Sequence, residues 1–304
     1  MQAIVFEEYG GPEVLQLRDI EQPEPGPGQI RASVRAAGVN PADVKIRKGW
    51  MQEVMPTEFP AVPGSEFSGV VHAVGDGVIG LSVGDEVLGW SVGGAYAQYT
   101  LADIVVPKPA GLSWDVAAAL PVAGETARRV LDDLAVGAGD TLLVHGAAGS
   151  VGSMAVQLAV ARGATVIGTA SPANHDYVRL LGATPVAYGD GLVERVRAVT
   201  PKGVDAVFDT AGKGALPDSI TLRGGTTDRV VTIADPTAAE HGVPFSGGGS
   251  TPEEKGSGLA EQARLATDGT LRVLVADTYP LAEAAHAQSA SESGHTRGKL
   301  IIKP

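Results

Sequence analysis

The spacing of apolar positions changes character twice along the chain. Over the first ~115 residues the apolar runs are short, as in Ile4–Phe6, Ile30–Ala36, Gly69–Val74 and Glu86–Gly89. Glycine and proline turns separate them, which is the texture of a β-rich region. Pro23-Glu-Pro-Gly-Pro-Gly28 reads as a rigid turn, and Gly75-Asp-Gly77 and Gly84-Asp85 as further turn markers. From Trp114 the pattern lengthens. Apolar residues recurring at three and four predict a helix over Ala117–Leu134. A buried-type strand at Thr141–His145, a helix at Ser150–Ala161, a strand at Thr165–Thr169 and a helix at His175–Leu181 follow. Asp205–Asp209 and Arg229–Ile233 complete the series of strands. Strands alternating with helices predict βαβ crossovers and a parallel sheet. Thr251-Pro-Glu-Glu-Lys255 reads as a helix start, with carboxylates at the positive end of the dipole. A third texture begins near Leu271, with a strand at Leu271–Ala276, a helix at Leu281–Ser291 and a closing strand at Lys299–Ile302. This tail is expected to return to the N-terminal domain.

Composition narrows the function classes. A length of 304 residues suggests about two domains and suffices to bury a real core. The hydrophobic fraction is 44%, yet no apolar run reaches the ~18 residues of a membrane span. Met1–Phe6 shows no basic stretch or cleavage site of a signal peptide, so a cytoplasmic, membrane-free location is expected. There is no cysteine, which removes disulfides, thiolate chemistry and any zinc site built on cysteine. The net charge of −12 argues against nucleic-acid binding, since phosphate affinity comes from clustered Lys and Arg. The histidines His72, His145, His241, His286 and His295 lack metal-ligand spacing and read as turn, strand or surface residues.

Candidate chemistry centres on Thr141-Leu-Leu-Val-His-Gly146-Ala-Ala-Gly149-Ser-Val-Gly152. A strand runs directly into Gly-x-x-Gly-x-x-Gly, and an alanine-rich helix follows. Glycines let the backbone approach an anion, and free N–H groups with the helix dipole hold it, which suits a dinucleotide pyrophosphate. The alternative is a plain tight strand-to-helix turn. The strand Val166-Ile-Gly-Thr169 then decides between cofactors. An NAD site usually carries an acidic residue near this strand's end for the ribose 2′-hydroxyl. Here Thr169-Ala-Ser171-Pro-Ala-Asn174-His175 has no carboxylate before Asp176. Ser171 and Asn174 can donate to a 2′-phosphate, and His175 can add charge when protonated, so NADPH is favoured.

With these residues in view the chain resembles the medium-chain dehydrogenase/reductase superfamily, and within it the zinc-free quinone oxidoreductases of the zeta-crystallin type. The blocks that carry the resemblance are Ala37-Gly-Val-Asn-Pro-Ala-Asp43, Pro63-Gly-Ser-Glu-Phe-Ser-Gly-Val70 with Val71, Gly84-Asp-Glu-Val87, Gly93-Gly-Ala-Tyr-Ala97, the Gly146–Gly152 loop and Gly298-Lys-Leu300. They run along essentially the whole chain. The resemblance implies an α/β fold with a β-rich GroES-like catalytic domain over 1–116 and 271–304. A Rossmann-type, doubly wound parallel-sheet NADP(H) domain would occupy 117–270. The zinc-dependent relatives place Cys where Asn40 stands and His where Ser65 stands, beside Glu66. The resemblance therefore implies no metal.

The resemblance also assigns roles. Asn40 would sit by the nicotinamide ribose and Thr126 by the nicotinamide. Gly146, Gly149, Ser150, Val151 and Gly152 would meet the pyrophosphate, Ser171 and Asn174 the 2′-phosphate, and Tyr188 would pack beside it. Ile233 and Ala234 would line the nicotinamide through backbone groups, and Lys299 lies in a motif that closes over the cofactor. Lys45 stands where several quinone reductases carry Tyr. It is either a donor to the developing oxyanion or a surface lysine snorkelling from a short helix. Trp50, Met51 and Met55 form an apolar wall for a planar substrate, a mobile lid or plain core packing, and Phe245 borders the cleft. The expected partners are a small-molecule quinone or enone and a second copy of the chain in a homodimer. The expected activity is NADPH-dependent hydride transfer to a quinone or similar conjugated carbonyl. An enoyl or alkenal reductase and a non-catalytic, crystallin-like NADPH-binding protein are the alternatives.

Overall fold

The computed structural model describes residues 1–304. The chain opens with β1 (Gln2–Val5), β2 (Gln16–Asp19) and β3 (Ile30–Val39), then α1 (Pro41–Arg47). It continues through β4 (Glu66–Val74), β5 (Glu86–Val92), β6 (Tyr99–Pro107), α2 (Trp114–Ala118) and α3 (Pro121–Asp133). The alternating part is β7 (Thr141–His145), α4 (Ser150–Ala161), β8 (Thr165–Thr169), α5 (His175–Leu180), β9 (Thr184–Val186), α6 (Leu192–Val199), β10 (Ala206–Asp209), α7 (Leu216–Leu222) and β11 (Val230–Thr232). It closes with α8 (Pro252–Thr267), β12 (Val275–Pro280), α9 (Ala284–Glu292) and β13 (Lys299–Lys303). The chain forms two compact units, Met1–Val122 with Thr251–Pro304, and Ala123–Ser250. The sequence boundaries expected at 116/117 and 270/271 differ from these. The difference concerns mainly α8, which packs on β6 in the first unit.

The first unit is built on a sheet of order β12-β13-β3-β4-β5-β6. β3 pairs with β6 as well as β4, so the four strands β3 to β6 close on themselves. This is the β-rich body that the sequence texture predicts, and it matches the GroES-like domain that the resemblance implies. Its core gathers Phe6, Ile30, Val34, Phe67, Val87 and Tyr96 with Leu300 and Ile302. The last two explain the return of the tail. In β13, Leu300, Ile301 and Ile302 are all buried, and they lie opposite Val39, Gly38 and Ala37 of β3. A strand apolar on both faces gains most in a sheet interior, at ~25 cal/mol per Å² of apolar area removed from water.

The second unit is a five-stranded parallel sheet of order β11-β10-β7-β8-β9. From β7 the chain winds outward through β8 to β9, then returns to β10 and β11 on the other side. The direction of winding therefore reverses beside β7, and ligands in such sheets bind outside the strands' carboxyl ends at that reversal. Leu143, Ile167, Val207 and Val230 from four of the strands share one core with Leu192, Val196 and Leu216 from the helices.

Two elements differ from the apolar pattern. The helix expected over Ala117–Leu134 is divided into α2 and α3, with Leu120 between them. Pro121 has no N–H to donate and crowds the preceding turn, so a helix ends before it and a new one starts on it. The strand expected at Leu271–Ala276 begins at Val275 and runs to Pro280. Leu271 is buried as a single anchor, while β12 is placed by its pairing with β13, such as Thr278 opposite Ile301.

Candidate functional site

In the second unit β7 ends at His145, and Gly146 turns the chain at a φ of +75° that L side chains rarely adopt. α4 then starts from Gly149 as its cap. A Cβ on Gly152 would lie 2.2 Å from the Gly146 carbonyl oxygen, so only glycine lets the first turn of α4 press on the loop. The first amides of a helix, here those of Ser150, Val151 and Gly152, have no intrahelical acceptor and aim the positive end of the dipole outward. The loop is tied to the end of β8. Ala147 N donates to the Thr169 carbonyl (3.0 Å) and Gly146 N to Thr169 Oγ1 (3.2 Å).

Past β8, Ser171 and Asn174 are half-buried and adjacent, with Asn174 Nδ2 donating to Ser171 Oγ (3.3 Å). The nearby Asp176 carboxylate points into solvent and pairs with Arg179 (2.6 Å). Tyr188 is exposed in the loop after β9, whose carbonyls at Ala187, Tyr188, Gly189 and Asp190 are gathered by the Arg195 guanidinium. At the reversal of winding, the buried Asp209 accepts from the backbone N–H of Ala211 (2.9 Å) and Gly212 (3.1 Å) and from Thr232 Oγ1 (2.7 Å). Thr232 Oγ1 in turn accepts from the N–H of Ala234 (3.1 Å) and Asp235 (3.0 Å), which fixes the backbone around Ile233 and Ala234. Pro244-Phe245-Ser246 adds an edge segment through Thr232, leaving the Phe245 ring exposed. Thr126 lies on α3 with its hydroxyl 3.4 Å from Glu125, which also holds Arg129 and Ser250.

The first unit holds a buried polar cluster. Asn40, just before α1, donates from Nδ2 to Glu66 Oε1 (2.8 Å) and accepts from Lys299 Nζ (2.6 Å), and Lys299 is ion-paired with Glu66. Glu66 Oε2 also accepts from Val122 N (2.7 Å). Glu66, Lys299 and Asn40 are 0%, 2% and 4% exposed. Asp43 on α1 accepts from Asn40 N (2.9 Å), Ser65 Oγ (2.9 Å) and the Tyr96 hydroxyl (3.0 Å). Burial raises the Asp43 carboxyl above its usual range despite these donors, and burial beside Asp43 pushes the Tyr96 phenol well up. Arg47, fully buried, fastens α1 to Gln288 (2.7 Å) and Glu292 (3.2 Å) of α9. Lys45, on the same helix, is half-buried, and burial lowers its pKa. Trp50 is 70% exposed and Met55 is exposed as well, so these two are not core packing.

These residues do not fit a catalytic zinc. The positions hold an amide, a hydroxyl and a carboxylate already paired with an ammonium, where a zinc site needs thiolate, imidazole or carboxylate donors. No group of three or more His, Cys, Asp or Glu side chains converges anywhere in the chain. The loop from β7 into α4 does fit a dinucleotide phosphate, because it ends in the free amides of the first turn of α4, and the missing Cβ of Gly152 lets that turn pack directly on the Gly146 carbonyl. The structure thus brings Asn40 and Lys299 together in the first unit. In the second it brings together Gly146, Gly149, Ser150, Val151 and Gly152, and separately Ser171 and Asn174. Glu66 stood out in the sequence only as the third position of a zinc set. Asp43 lay unremarked inside a family block, and Asp209, which organises the end of β10, carried no motif at all.

The alcohol dehydrogenase GroES-like domain family matches residues 26–110, and the zinc-binding dehydrogenase family matches 181–302. The chain is 38% identical over 92% of its length to the pikromycin polyketide synthase component PikAII of Streptomyces venezuelae, of which it spans 8%. It is 37% identical over 70% of its length to the human synaptic vesicle membrane protein VAT-1 homolog, spanning 56% of it. Human quinone oxidoreductase is 33% identical, with 99% of this chain and 97% of that protein covered. Among solved structures, Escherichia coli quinone oxidoreductase complexed with NADPH superposes with a TM-score of 0.87 at 28% identity, covering both chains fully. A mycobacterial protein complexed with NADPH gives 0.87 at 32%, again over both whole chains. With a full-length relative above 30% identity and both of its domains matched, the chain belongs to the quinone oxidoreductases of the medium-chain dehydrogenase/reductase superfamily.

Proposed function

We propose that the chain is an NADPH-dependent, zinc-independent reductase that delivers hydride to a quinone or similar conjugated carbonyl compound. The observation that carries the reading is the glycine loop from β7 into α4, followed after β8 by Ser171 and Asn174 with no carboxylate before the solvent-exposed Asp176. Bound NADPH supplies the hydride, and with one proton it converts a quinone to a hydroquinone. The free N–H groups of Ser150, Val151 and Gly152 hold the pyrophosphate, with the Gly146 and Gly149 backbone permitting the approach, the Gly149 N–H itself being held by the Gly146 carbonyl (3.0 Å). Ser171 and Asn174 donate to the 2′-phosphate, and Tyr188 packs beside it. The backbone at Ile233 and Ala234, with Thr126 and Phe245, serves the nicotinamide end. In the first unit Asn40 and Lys299 are set by Glu66, and the half-buried Lys45 ammonium donates to the oxyanion that forms as hydride arrives.

The NADPH complexes of the two solved relatives support the cofactor. The Lys299–Glu66 pair supports zinc independence, because a cation already neutralises the carboxylate a metal would need. No helix is long and apolar enough to cross a membrane. A homodimer belongs to the same reading. The test is loss of NADPH absorbance against a quinone panel and an enone panel, with and without EDTA. Turnover of quinones unaffected by EDTA is expected. Turnover of enones alone would transfer the reading to an alkenal reductase, and tight NADPH binding with no acceptor reduced would make the chain a non-catalytic binder.

A further inference from the structure

His145 closes β7 immediately before Gly146, is 1% exposed, and has no part in the chemistry above. Both its ring nitrogens are engaged. Nε2 lies 2.9 Å from Ser219 Oγ of α7, and Nδ1 lies 3.4 Å from Thr169 Oγ1 of β8. The neighbours decide the tautomer. Ser219 Oγ donates to the Ala215 carbonyl (2.7 Å), so towards His145 it accepts, and Nε2 carries the proton. With the proton on Nε2 the neutral ring keeps a lone pair on Nδ1, so the Thr169 hydroxyl, which accepts from the Gly146 N–H (3.2 Å), donates its own proton to Nδ1. The result is one ordered chain, from Gly146 N–H to Thr169 hydroxyl to His145 Nδ1, then from His145 Nε2–H to Ser219 hydroxyl to the Ala215 carbonyl. Every donor in it has an acceptor. Burial holds the imidazole pKa below its usual value, against the pull of Asp209 on β10 and Asp218 on α7, so the ring is neutral at pH 7.

We infer that His145 is a positioning residue for the pyrophosphate loop. Acting through Thr169, its Nδ1 lone pair fixes the first N–H of that loop and with it the turn at Gly146. The inference rests on the NADPH reading for its consequence, but not for its geometry. Protonation of Nδ1 would turn the acceptor into a second donor facing the Thr169 hydroxyl, so the loop should loosen as pH falls through the lowered His145 value.

The test uses four variants of the whole chain: His145→Leu, His145→Asn, Thr169→Val and His145→Leu with Thr169→Val. Asn keeps an acceptor near the Nδ1 position, and Leu does not. Hydrogen exchange at the Gly146 amide, measured without cofactor, should speed up about tenfold in His145→Leu and in Thr169→Val, the scale of one lost buried hydrogen bond. It should stay near wild type in His145→Asn, and the double variant should add nothing to either single change. Wild-type exchange relative to intrinsic should also rise as pH falls through the lowered His145 value, and His145→Asn should lose that rise. In parallel, the NADPH dissociation constant from fluorescence titration should weaken about tenfold in Leu and Val and recover in Asn. Unchanged exchange in His145→Leu, or additive effects in the double variant, would overturn the inference. If exchange behaves as expected and the wild type fails to bind NADPH, the positioning role stands and the proposed function falls.

Discussion

Lys45 shows how a single residue acquires chemistry from its setting. Burial is the one cause that lowers its pKa from the ordinary 10.5, since no carboxylate opposes the shift. A donor must be protonated to act, so activity at saturating NADPH should fall as pH rises through a value below 10.5. Replacing Lys45 by Met should remove that alkaline limb and lower kcat about 100-fold, the usual contribution of a positioned proton donor. A pH–rate profile of the two proteins decides it, and equal turnover at all pH values would return Lys45 to the surface reading. Lys299 is the opposite case, a buried lysine held by the Glu66 carboxylate and the Asn40 amide oxygen. Lys299→Met leaves Glu66 buried with only the Asn40 amide and the Val122 N–H and no cation beside it, which should destabilise the fold by roughly 3–5 kcal/mol. Adding Glu66→Gln should recover much of the loss, and urea denaturation of the single and double variants measures both.

At the scale of elements, legibility followed from where the information lies. β7, α4 and β8 were read to the residue, because an apolar run, a glycine turn and an alanine-rich helix are local signals. β12 was misplaced because most of its residues are exposed and its register comes from β13, which no local pattern encodes. The division of α2 from α3 was written in Pro121 and overridden by the apolar period around it. The same distinction runs through the site. The glycine loop was visible as a motif, whereas the Asn40–Glu66–Lys299 cluster joins residues 26 and 259 positions apart, so the resemblance named its members separately and nothing in the sequence joined them. Two changes test the elements that were legible. Gly152→Val places side-chain atoms where even a Cβ would lie 2.2 Å from the Gly146 carbonyl, so α4 must part from the loop. NADPH binding should drop beyond about 100-fold while far-UV circular dichroism stays native, because strain of a few kcal/mol is concentrated at the cradle. Ser171→Asp restores an acidic group after β8. It should weaken NADPH by about tenfold or more and shift the NADH to NADPH ratio towards NADH, read as the two dissociation constants.

The whole molecule adds what neither residues nor elements supply, a coupling between cofactor binding and stability. On the proposed reading NADPH engages the second unit's loop and strand ends, which are absent from the unfolded chain, so it should stabilise the native state by mass action. At 100 times its dissociation constant the gain is ~2.7 kcal/mol. For a domain of 150–250 residues each kcal/mol moves the melting temperature by about 2–4 °C, so a rise of several degrees is expected in a thermal-shift experiment. NADH at the same concentration should give a smaller rise, since it lacks the 2′-phosphate that Ser171 and Asn174 would hold. EDTA should give none, because the buried carboxylate that could have recruited a metal is paired with Lys299. The three ligands thus separate the parts of the functional reading. A rise with NADPH equal to that with NADH would remove the phosphate assignment, and a fall with EDTA would mean that a metal contributes to the native fold after all.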